Sequence, residues 1–196
     1  MKNFVKFFAV IVFCTVIYSP LFAQEQMPEM TSEQKAWMDY MAPGPEHAMM
    51  AKAAGEWKVK TTAWEKPGDE PVVSEGTSKS EMILGGRYFK EEFEGSAWGM
   101  PMSGINIMAF DNSTKEYVST WVDNMGTGIT MSKGKWDDEA KAIVMWGSMV
   151  DPTTGGEMKY KSVIKTIDDN NNVFEMYMIQ DGQEFKTFLM ESTRVK

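Results

Sequence analysis

From Gly55 onward the hydropathy of this chain alternates residue by residue, and clusters of turn-forming residues cut the alternation about every ten residues. The cuts fall at Lys66-Pro67-Gly68-Asp69, Gly85-Gly86, Asp111-Asn112-Ser113-Thr114, Asp137-Asp138-Glu139, 151–156, 168–172 and Asp181-Gly182. Looser breaks lie at Gly99-Met100-Pro101 and Met125-Gly126. Together they delimit about ten strands joined mainly by hairpins, because Gly, Pro, Asn and Asp supply the backbone angles that tight turns need. Hairpin-linked strands pair with their sequence neighbours, and a sheet of about ten tends to close on itself to remove its edges. The expected fold is therefore all-β, an antiparallel up-and-down β-barrel preceded by short helices. A two-sheet sandwich would need longer crossing connections than the sequence contains.

The residues ahead of the alternation divide in two. Lys2 and Lys6 precede an apolar run from Phe7 to Ile17, followed by Ser19-Pro20 and the small residue Ala23, which is the pattern of a secretory signal peptide. Residues 1–23 are read as that signal, 24–54 as a helical segment and 55–196 as the barrel domain. The apolar run falls short of the roughly 20 residues a membrane-spanning helix requires, so no membrane span is expected after cleavage. The expected location is periplasmic or extracellular. Within the helical segment, Thr31-Ser32-Glu33 begins a helix carrying Trp37, Met38 and Met41, Pro43-Gly44-Pro45 ends it, and a second short helix runs from Glu46 to Ala54.

Charge and cysteine content narrow the chemistry. Cys14, the one cysteine, lies inside the signal, so the exported chain has no disulfide and relies on its core. The formal charge is -8, and removal of Lys2 and Lys6 takes it to -10. Such a chain repels phosphate, and nucleic acid is not an expected partner.

Alternation also assigns faces. Lys159, Lys161 and Lys165 should face water, which turns Tyr160, Ser162 and Ile164 inward. After Gly86, Phe89 and Phe93 point inward and carry Glu91 and Arg87 with them. Trp121, Asp123, Met108 and Met176 fall on the inward side of their runs. A candidate ligand-binding interior thus consists of Arg87, Phe89, Glu91, Met108, Trp121, Asp123, Tyr160 and Met176, an apolar pocket with a few convergent polar groups.

Gly55-Glu56-Trp57 on the first strand, directly after a short helix, together with Thr193-Arg194 on the last, resembles the lipocalin and wider calycin superfamily. In those barrels the tryptophan plugs one end and the arginine packs across it, so the resemblance gives Trp57 and Arg194 a structural role in barrel closure. A guanidinium suits that role because it covers an indole face and still satisfies carbonyls. The runs Met82-Ile83-Leu84-Gly85-Gly86-Arg87, Phe110-Asp111-Asn112, 117–124 and Phe174-Glu175-Met176-Tyr177 are similar to the bacterial family catalogued as domain of unknown function 1579. That resemblance implies a fold and no reaction.

Catalytic and metal readings find little material. The exported chain has a single histidine, His47, no cysteine and no Gly-x-Ser-x-Gly run, so a nucleophile with its base is not identifiable. One histidine also argues against zinc, and its place outside the strands argues against haem. The oxygen-rich 168–172 segment lacks the glycine and final glutamate of a calcium loop and reads as a hairpin. The sequence assigns no cofactor.

Methionine is the compositional anomaly, with 19 in the chain and pairs at Met27 and Met30, Met38 and Met41, Met49 and Met50, and Met100 and Met102. Adaptable packing or cavity lining is one account, and copper(I) binding through thioethers is another. Four functional readings stay open: a binder of a small apolar or amphipathic molecule in the barrel, a copper(I) protein, an enzyme using Glu91 or Asp123 as a base, and a solid barrel that meets a protein partner through Trp64, Trp136 and Trp146.

Overall fold

The computed structural model describes residues 29–97 and 99–195; the signal segment, with Cys14, and Met27 lie outside the described residues. Two helices, α1 (Ser32–Met41) and α2 (Pro45–Ala51), precede ten strands. These are β1 (Gly55–Ala63), β2 (Val72–Ile83), β3 (Tyr88–Ala97), β4 (Met100–Asp111), β5 (Glu116–Asp123), β6 (Thr130–Asp137), β7 (Ala142–Val150), β8 (Glu157–Asp168), β9 (Asn171–Gln180) and β10 (Gln183–Arg194). Every strand pairs antiparallel with its sequence neighbours, and β1 closes the barrel against β10, with Trp57 opposite Arg194. The expected all-β barrel and its turn positions are the ones observed. The second helix is shorter than expected and stops at Ala51.

Local chemistry accounts for the helices. Thr31 caps α1 by accepting from Gln34 N at 3.2 Å while Gln34 Oε1 accepts from Thr31 N at 2.9 Å, a reciprocal capping box. At the other end of α1, Asn112 Nδ2 donates to the carbonyls of Tyr40 at 3.0 Å and Ala42 at 2.8 Å. Pro45 opens α2, where its missing N–H costs nothing. His47 Nδ1 accepts from Gly44 N at 3.0 Å, and the ring meets Phe110 edge-on. His47 is buried, and that burial holds its pKa below the ordinary 6.5.

Both helix α2 and the Trp57–Arg194 pair lie at the same barrel end. Met50 of α2 packs into a core of Phe89, Met108, Phe110, Tyr117, Ile143 and Met145. Arg194 lies 4.1 Å from the Trp57 ring centroid and donates to the carbonyls of Ala54 at 2.7 Å, Lys52 at 2.6 Å and Asp169 at 2.8 Å. Trp57 Nε1 donates to Ala53 O at 3.0 Å. A Cβ at Gly55 would fall 2.5 Å from Arg194 Nη1, so the glycine that precedes the tryptophan by two is what lets the guanidinium through. The opposite end is formed by the connections at 64–71, 124–129, 151–156 and 181–182 together with Gly99, and no described helix covers it.

Candidate functional site

The lumen is shaped first by glycine. Gly76 and Gly95 face Phe93, Gly104 faces Trp121, and Gly147 faces Tyr160. A Cβ on Gly104 would stand 2.2 Å from the Trp121 ring, and one on Gly147 2.5 Å from Tyr160. Each ring therefore lies against bare backbone, in wall space that a side chain would otherwise fill. Ten strands also enclose a wider interior than the eight that suffice for one small ligand. The inward-facing Glu91, Asn106, Ser119, Trp121, Phe174, Met176 and Met190 are only partly buried although they point into the barrel.

Polar groups gather on one side of this space. Glu91 stands opposite Ser80 on β2 and Asn106 on β4. Asn106 Oδ1 accepts from Ser119 Oγ at 2.7 Å, and Ser80 Oγ donates to Ala53 O at 2.8 Å. Burial pushes the Glu91 pKa above its ordinary 4.5, with the Ser78 hydroxyl opposing. That contact falls short of a well-formed hydrogen bond, because Ser78 Oγ is buried without a partner of good geometry.

The other residues expected in the pocket separate. Trp121, Tyr160 and Met176 do face the lumen, as alternation predicts. Phe89 and Met108 are inward but packed into the closed end under α2, each 6% exposed. Asp123 is spent on local structure: Oδ2 accepts from Trp121 Nε1 at 2.6 Å, and Oδ1 accepts from the N–H groups of Met125 at 2.8 Å and Gly126 at 3.0 Å. Arg87 is a correction. Leu84, Gly85 and Gly86 all have positive φ, so β3 begins only at Tyr88, and Arg87 stays in the exposed turn with Nη1 on Leu84 O at 3.2 Å. It cannot serve as the partner of Glu91.

Sequence reasoning overlooked Ser78, Asn106 and Ser119, each in phase with apolar inward neighbours such as Phe93, Met108 and Tyr117. That phase is the signal that could have found them.

Outside the barrel, Met38 and Met41 of α1 are exposed whereas Met50 is core, so the methionine pairs do not share one environment. No cluster of three or more histidine, cysteine, aspartate or glutamate side chains with metal-binding proximity occurs among the described residues. Trp146 and Trp136 are exposed, and Lys161 lies 5.7 Å from the Trp146 ring centroid. A groove of about 780 Å³ crosses the outer wall, lined by Glu56, Lys79, Glu92, Glu94, Ile105 and Val122 among others. Of the lumen residues expected from sequence it reaches only Asp123.

Comparison with known proteins adds the fold and a family. The crystal structure of Rv2717c from M. tuberculosis is similar, with a TM-score of 0.56, 12% identity, and coverage of 79% of this chain and 100% of that one. No functionally curated protein matches the chain. The family model for Protein of unknown function (DUF1579) matches residues 42–194, from the approach to α2 to the closing arginine, and the chain belongs to that family.

Proposed function

We propose that this is an exported binding protein that holds a small amphipathic molecule in its barrel lumen without transforming it. The observation that carries the reading is the accessible surface kept by the inward-facing Glu91, Asn106, Trp121 and Met176, beside aromatic rings that abut glycine backbone. Such a space is apolar with a few oriented polar groups, the composition of small-molecule sites. An enzymatic base would need a second chemical group near it, and Asp123 is already committed to Trp121 and to its turn. Export rests on the signal pattern of residues 1–23, and entry of the ligand is assigned to the end away from α2 and Arg194.

Native mass spectrometry of protein purified from its own cells tests the reading. A bound adduct released by denaturation is the expected result, because a ligand that binds only the folded state co-purifies and raises the melting temperature. Bare protein, with no thermal shift across a panel of amphipathic compounds, would sink it.

A further inference from the structure

Resting on that reading of the lumen, we infer that its ligand carries an organic ammonium group, held by the Glu91 carboxylate and the Trp121 ring. The first observation is an imbalance of charge. Along the ten strands, inward-facing positions carry Glu91, Asp123 and Arg194 and no lysine. Arg194 is bound to three carbonyls at the closed end, and Asp123 is bound to Trp121 and two backbone N–H groups. Glu91 alone is left without a strong partner, and no ion pair to it exists among the described residues. A carboxylate enclosed in a barrel is costly unless a cation or several donors meet it.

The second observation is independent of charge. Phe93, Trp121 and Tyr160 each reach glycine backbone from inward positions, Phe93 and Tyr160 almost fully buried and Trp121 with accessible surface left to the lumen. Aromatic faces carry negative quadrupole density and attract ammonium groups, most strongly where water is excluded. Methionines 176 and 190 supply soft apolar wall for the rest of the molecule. An anionic head group would meet Glu91 with repulsion, and an alcohol would gain one hydrogen bond without the charge.

Three probes of equal chain length separate these cases: decylammonium, decanol and decanoate, titrated by calorimetry into the whole protein below their aggregation concentrations. Decylammonium should bind about tenfold or more tighter than decanol, with decanoate weakest, since a charge-assisted bond is worth about twice a neutral one. In Glu91→Gln, the ammonium advantage should collapse to the level of the alcohol. Wild-type data alone keep the test decisive if that variant folds poorly: equal affinity for all three heads overturns the ammonium assignment while leaving the lumen reading intact. Failure of every probe, together with bare protein in native mass spectrometry, overturns both.

Discussion

Two arginines show how far single residues can be read from the chain. Arg194 was assigned to barrel closure by its company with Trp57, and the structure gives that role its chemistry: three carbonyl bonds in one plane and an indole beneath. Lysine could replace the charge but not the fork, so Arg194→Lys should lose at least two of the three bonds and much of the ring cover. A loss of about 2 kcal/mol is expected in urea unfolding, with α2 loosened because Lys52 and Ala54 are among the released acceptors. An unchanged midpoint would mean the Trp57 plug holds without it. Alternation does not carry Arg87 inward, because the positive φ at Leu84, Gly85 and Gly86 takes the backbone off the ladder until Tyr88. Period two is informative only inside a strand, and no local rule marks where the strand begins within a residue or two.

At the scale of elements, the ten strands and their hairpins were legible because turn chemistry is local and the buried face repeats every second residue. The lysines of β8 correctly turned Tyr160 and Ser162 inward. The short link to β1 places α2 at the Trp57 end, but its anchorage was not legible, because only closure of β1 on β10 brings Arg194 to that end and onto the carbonyls of Lys52 and Ala54. Helix α1 poses a related question, since it buries no residue and is tied down chiefly through Asn112. The turn residue Asn112 thus has a second structural use: its amide satisfies carbonyls that the end of a helix leaves open. Asn112→Ala should leave the barrel's melting temperature nearly unchanged while amide exchange over 32–42 accelerates several-fold, as hydrogen-exchange mass spectrometry would record. Equal protection in both proteins would show that α1 is held by other means.

For the whole molecule, the enclosed groups make stability depend on pH in opposite directions. Burial raises the Glu91 pKa, so the folded protein keeps a proton that the unfolded chain releases above about 4.5; stability is full below that value and declines as pH rises through the window. Burial lowers the His47 pKa, so below the ordinary 6.5 the unfolded chain takes up a proton that the folded one refuses, and stability is lost as pH falls. Glu91→Gln removes only the first effect while preserving shape. The variant should therefore melt higher than wild type at pH 8, and the two curves should converge near pH 4. A gap of the same size at both values would place the effect in packing and remove the charge argument. If a cationic ligand fills the lumen, the penalty on Glu91 disappears in the loaded protein, so the pH 8 advantage of the variant should vanish when saturating decylammonium is present. That reversal would join the cost of enclosing Glu91 to the benefit of binding: the charge that weakens the empty barrel is the one that would select its occupant.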